Sequence, residues 1–284
     1  MLKHQPHKES KQSYHYLYFP LNIILNIIYY LMETQQFEDG AKYLLRRNLK
    51  GILNVVLEEI ADFKQSNAVK IKSLNVLYNL IRGCGSDINQ YVDRIVYALY
   101  PHCDDEELGP VTSSTAEMIG LHTDQNVSIP IVAKHLSEIE IKNSYQPLSN
   151  RLNILSSILS KTANITEESV SMVLKVLHNL DIFNMPDNNY IKNILKYTFR
   201  IYDGLISNLQ KNCVRFHSEL FFPLLFLHSL PDTQSLRDSV ADTIHNLAIY
   251  CGFSNVEDLY SMELAFILEK FQETHKQWKR NSPD

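Results

Sequence analysis

Apolar residues along this chain recur at the spacing of helical turns. Ile88, Tyr91, Val92, Ile95 and Leu99 return to one face of a 3.6-residue helix. Val170, Val173, Leu174 and Leu177 repeat the opening of that pattern, as do Leu264, Ile267, Leu268 and Phe271. No convincing run of alternating strand residues interrupts them. The breaks are short and chemically legible. Gly83 and Gly85 are read as following one helix, with Ser86 or Asp87 capping the next. Asp124, Pro147, Pro186-Asp187, Pro231-Asp232 and Gly252 to Ser254 mark further starts and stops. Thr166, followed by Glu167 and Glu168, reads as an N-cap with acids in the first turn, where they complement the helix dipole.

The predicted helices pair. First helices of successive pairs begin near residues 67, 106, 147, 189 and 232, and residues from 14 onward supply one more pair or a cap. A two-helix period of about 40 residues is the spacing of HEAT or armadillo-like repeats. The expected fold is therefore all-α, an α-solenoid of about six helix pairs spanning 14–284, preceded by a disordered tail at 1–13. A non-repeating helical bundle is the alternative. A solenoid offers broad surfaces and few deep pockets, so the expected chemistry is recognition.

Composition narrows this further. The 284 residues carry a formal charge of −5, from 27 basic and 32 acidic residues. That balance provides no concentrated positive field for nucleic acid. Eight glycines is under half the usual share of roughly 7%, which disfavours Gly-rich loops and tight hairpins. Cys84, Cys103, Cys213 and Cys251 are scattered, without a CxxC pair, and read as reduced, mostly buried thiols in a cytoplasmic protein. The apolar run from Tyr16 to Met32 is the one stretch that approaches a membrane span. Pro20, Asn22 and Asn26 interrupt it, and it is read as a buried helix of a protein without a membrane anchor. The sequons at Asn126 and Asn164 are then incidental.

Candidate chemistry concentrates between Leu80 and Glu107. Gly83-Cys84-Gly85-Ser86-Asp87-Ile88 nearly matches a dinucleotide loop, but a helix precedes it where a strand is required. His102, Cys103, Asp104, Asp105, Glu106 and Glu107 form a dense run of potential metal ligands. Six consecutive side chains on a turn radiate rather than converge, whereas metal sites draw on separated pairs. The reading adopted is a link between repeats. In it Asp104 caps the next helix and Glu107 stands three residues on, as in a capping box. No nucleophile-base motif is present, so no catalytic residue, metal or cofactor is expected.

Two surfaces are candidates for partners. Lys42, Arg46 and Lys50 stand four apart on one helical face beside Arg47, either as a solvated face or as a dock for an acidic segment. Asp104, Asp105 and Glu106 are a second, acidic contact. Trp278, the only tryptophan, lies among Lys276, Lys279 and Arg280 and is a third candidate, unless it packs under a further repeat.

At Leu80, Ile81, Gly83, Gly85, Ile95, Leu99, Tyr100, Pro101, Cys103, Asp104 and Asp105 the chain resembles the HEAT-repeat axonemal dynein preassembly factors. Leu259-Tyr260, His275, Trp278 and Ser282-Pro283 resemble the same family, and the resemblance does not reach before about Phe37. Family members are considerably longer, so this chain is expected to be a portion of one. The resemblance implies a cytoplasmic, non-enzymatic scaffold that helps assemble dynein motors for cilia or flagella. Its implied partners are dynein heavy or intermediate chains and chaperones or co-chaperones. A tubulin-binding HEAT module is the second possibility.

Overall fold

The computed structural model describes residues 39–139, 144–264, 268, 269 and 272. The expected tail at 1–13, the apolar segment 16–32 and Trp278 lie outside the described residues. Among the described residues every regular element is helical, and no helix is long and apolar enough to cross a membrane. They form two compact units that divide between Ile88 and Asn89.

The first unit is built on α1 (Asp39–Ala61) and α2 (Asn67–Cys84), which pack together. α1 buries Leu45, Leu49, Leu53, Val56, Leu57 and Ile60, and α2 buries Leu74, Leu77, Leu80 and Ile81. Fully burying each such side chain contributes roughly 2 kcal/mol. In the turn between them, Asp62 Oδ1 accepts the Lys64 N–H at 2.9 Å. Inside the pair, the Ser73 hydroxyl donates to the buried Glu59 carboxylate at 2.6 Å. α2 starts at the expected residue but runs through Gly83, contrary to expectation. Only Gly85 requires a glycine backbone, with φ 55°, while its N–H still closes the last turn onto Ile81 O.

The second unit carries α3 (Val92–Leu99), α4 (Leu108–His122), α5 (Gln125–Ser137), α6 (Gln146–Lys161), α7 (Glu167–Asn179), α8 (Ile191–Leu209), α9 (His217–Ser229) and α10 (Arg237–Tyr250). Helical backbone resumes at 256–264. The starts of α4, α6 and α8 lie within two residues of those expected. α10 begins later because Pro231–Leu236 first forms a 3₁₀ turn. The packing is in two layers: α4 on α6, α6 on α8 and α8 on α10 in one, α3 on α5 and α5 on α7 in the other. Stacking of every second helix is what a helix-pair repeat requires.

Caps explain the boundaries. Thr166 Oγ1 accepts the Ser169 N–H at 3.3 Å, as expected for an N-cap, and Asp124, expected only as a start or stop, caps α5 by accepting the Asn126 N–H on Oδ1 at 2.9 Å. Gly252, at φ 83°, ends α10, and the Phe253 N–H returns to Ala248 O at 3.0 Å. Pro130 and Pro223 sit inside α5 and α9. Each removes one backbone donor. In α5, burial of Ile129, Val132, Ala133 and Leu136 holds the helix through the defect.

The three apolar stripes have different fates. Ile88, Val92, Ile95 and Leu99 are fully buried, although a 3₁₀ segment (Gly85–Tyr91) carries the first of them. Val170, Val173, Leu174 and Leu177 are buried on α7. Leu264 and Leu268 are instead 54% and 53% exposed.

Candidate functional site

The expected basic surface forms on α1, opposite its buried face. Tyr43, Arg46, Arg47 and Lys50 are all exposed at helical spacing. Lys42 belongs to the same helix, but its side chain lies outside the described residues. Arg46 Nε pairs with Asp87 Oδ2 at 2.7 Å, which reduces the positive field. Arg47 and Lys50 carry the rest of it.

The acidic joint differs from the expected capping box. The helix cap is Asp105: its Oδ1 accepts the N–H groups of Glu107 and Leu108, each at 2.9 Å. Asp104 does not cap α4. It is half-buried, and desolvation raises its carboxyl pKa, with a hydrogen bond from the Gln146 side chain opposing the shift. Its Oδ2 is buried without a hydrogen-bond partner. The difference of one residue arises because Tyr100–His102 forms a 3₁₀ turn, which delays the start of α4 to Leu108. Of the three acids, Glu106 alone is exposed, while Asp104 and Asp105 are half-buried. Gly109 completes the joint, since a Cβ there would lie 2.8 Å from Cys103 O.

The potential ligands at the joint diverge. His102 and Cys103 are buried while Glu106 and Glu107 face solvent, and no group of three such residues gathers in metal-binding geometry among the described residues. The Cys103 thiol points to Leu99 O and Asn150 O at 3.7 and 3.6 Å, and burial raises its pKa. Burial also pushes the Cys84 and Cys251 thiols up to about 11 and Cys213 to about 12, so none is poised as a thiolate nucleophile.

A network at the joint has no signature in the sequence. The Tyr100 hydroxyl donates to His135 Nδ1 at 2.9 Å, and His135 Nε2–H donates to Asp93 Oδ1 at 3.0 Å. The hydrogen-bond order assigns this tautomer. Arg151 donates to His135 O at 2.9 Å and lies over the Tyr100 ring at 5.5 Å. A Tyr-His-Asp row has the outline of a proton relay. Burial, however, raises the Tyr100 pKa, so its hydroxyl stays a neutral donor. The row ties α3, the 3₁₀ turn, α5 and α6 together.

A second feature also escaped the sequence. A groove of about 320 Å³ crosses α4, α6 and α8. Glu117 enters from α4, a serine cluster from α6, and Arg200, Asp203 and Asn208 from α8. Two glycines, Gly204 in its lining and Gly120 where α4 meets α6, let these helices approach closely. A Cβ on Gly120 would lie 2.1 Å from Ile158 O, and one on Gly204 would lie 3.3 Å from Leu159 Cβ. The serine-rich stretch of α6 was the available signal, but it reads like any polar helix face until its neighbours are placed.

Relatives agree with this architecture. A family model described as the HEAT-repeat domain of dynein axonemal assembly factor 5 matches residues 29–231. The match starts upstream of Phe37, where the resemblance was expected to begin. The human protein named dynein axonemal assembly factor 5 is 24% identical over 249 residues, covering 86% of this chain and 28% of its own length. The Xenopus laevis protein of that name is 23% identical, covering 88% of this chain and 29% of its own. The chain thus spans less than a third of the curated relatives it matches. A computationally designed armadillo repeat protein for modular peptide recognition, 12% identical, overlays 78% of this chain and 98% of its own at a TM-score of 0.35, too loose to carry an argument. With the family model covering most of a chain whose helices stack in pairs, this chain belongs to the dynein axonemal assembly factor 5 HEAT-repeat family.

Proposed function

We propose that this chain acts as a non-enzymatic HEAT scaffold in the cytoplasmic preassembly of axonemal dynein arms. The observation that carries the reading is the family match over 29–231 on a helix-pair architecture. Treating residues 14–284 as one repeat array is part of the same proposal. Its partners are dynein heavy or intermediate chains and chaperone or co-chaperone proteins. The α1 face, with Arg47 and Lys50 beside exposed Tyr43, suits an acidic segment of such a partner. Trp278 is kept as a proposed contact. Affinity capture of the full-length protein from ciliated cells should recover dynein subunits. Cilia with normal dynein arms after complete loss of the protein would sink the reading.

One observation favours the tubulin alternative. Phe63 is 85% exposed in the α1–α2 turn, with Lys64 Nζ 5.6 Å from its ring centroid. An aromatic and a basic residue at a loop tip suit a protein contact. Co-sedimentation with tubulin at low salt, lost on Phe63→Ala, would support this alternative. Absence of co-sedimentation at low salt would remove it.

A further inference from the structure

The groove across α4, α6 and α8 has a directional hydrogen-bonding character. Its exposed Ser160 donates its hydroxyl hydrogen to Ser157 O at 2.7 Å, while Ser156 and Ser157, themselves buried, donate to Asn153 O at 2.8 Å and Asn153 Oδ1 at 3.5 Å. A hydroxyl has one hydrogen and two lone pairs, so what remains on each is acceptor capacity. Asn208 behaves the same way. Its Nδ2 donates to Gly204 O at 2.8 Å and Leu159 O at 3.2 Å, which uses both amide hydrogens and leaves Oδ1 as an acceptor. Reversing that amide would set its oxygen against two carbonyls, so the network fixes its orientation.

The charges point the same way. Glu117 and Asp203 line the groove as carboxylates, and Asp203 Oδ1 already accepts the Thr243 hydroxyl at 2.8 Å. Arg200 is the one cation among the lining residues, and it is exposed. A surface of acceptors and two carboxylates selects a ligand rich in N–H donors and positive charge. Its open form across three helices fits an extended chain better than a compact molecule.

We propose that this groove binds an extended polypeptide segment rich in arginine or lysine. Glu117 and Asp203 serve as counter-charges, and the Ser160 and Asn208 oxygens accept hydrogen bonds from the segment. Arg200 opposes the ligand's charge and limits its affinity. The proposal is independent of the dynein reading and of the basic α1 face, which calls for a partner of opposite charge.

Fluorescence anisotropy with fluorescein-labelled octapeptides tests it on the full chain, at low salt where screening is weak. One peptide alternates arginine and serine, the other glutamate and serine. The arginine peptide should bind and the glutamate peptide should not. The double variant Glu117→Gln/Asp203→Asn should weaken binding roughly tenfold, the sum expected of two partly exposed charge contacts. Arg200→Gln should tighten it. Glu168→Gln/Glu257→Gln removes the same net charge at two exposed positions outside the groove and should leave binding unchanged. Circular dichroism checks folding, and Glu117→Gln alone replaces the double variant if that one unfolds. Equal binding of both peptides, or equal loss in the two double variants, would overturn the proposal. So would displacement of the arginine peptide by spermidine at matched charge, which would show a site for small cations instead of a polypeptide.

Discussion

At the 100–108 joint, Tyr100, His135, Asp93 and Arg151 direct their hydrogen bonds at one another and at nearby backbone. In the groove, Ser160 and Asn208 spend their donors on backbone carbonyls and keep acceptor capacity on side chains that solvent reaches. Both regions are polar, and both lie where neighbouring helices meet. One closes on itself and stiffens a link between repeats. The other is left half-satisfied at a surface, where a ligand can complete it. Polarity at a helix junction is therefore not by itself a sign of function. What matters is whether the remaining hydrogen-bonding capacity faces protein or solvent.

Substitutions separate the two regions. The largest effect is expected at Gly120, where α4 meets α6. Gly120→Ala places a Cβ against Ile158 O, a backbone atom that cannot rotate away. Overpacking there should cost about 2–3 kcal/mol, more than the ~1 kcal/mol that alanine returns in helix propensity. Gly204→Ala, which faces a side chain at 3.3 Å, should cost less. Urea midpoints of the two variants check the order, and equal midpoints would show that close backbone approach does not shape the groove.

Next comes the joint. Tyr100→Phe leaves His135 Nδ1 without its donor in a half-buried site and should cost roughly 1–2 kcal/mol. A stability within error of the parent would mean that the network is incidental to the link. Asp105→Ala removes the acceptor for two backbone N–H groups at the start of α4 and should cost about 1 kcal/mol, the usual worth of an N-cap.

The smallest effect has the opposite sign. Burial raises the native pKa of Asp104 above its unfolded value, so the folded state holds the proton more tightly. The stability linked to that proton is present below the unfolded pKa and is lost as pH rises through the raised native pKa. Asp104→Asn should therefore flatten the stability profile across that window and leave the protein slightly more stable at neutral pH. Thermal melts at pH 4 and 7 read this out, and a variant less stable than the parent at pH 7 would reverse the assignment.

Local pattern alone determined much of this protein. The helical class, the start of α2 at Asn67, the break at Asp124 and the cap at Thr166 follow from spacing and terminal side chains, because each depends on residues within a turn of one another. The residues from Leu80 to Asp105 carry the resemblance to the family that the matched model over 29–231 shows. Tertiary structure decided the rest. The cap moved from Asp104 to Asp105 because a 3₁₀ turn set the phase of α4. Leu264 and Leu268, spaced like core residues, stayed exposed. Tyr100, His135 and Asp93 met across separations of 35 and 42 residues, and the groove arose from three helices far apart in the chain. Periodicity tells a helix which face to bury. It carries no information about which distant face will meet it, and that meeting determines where polar groups are satisfied and where they are left open to a partner.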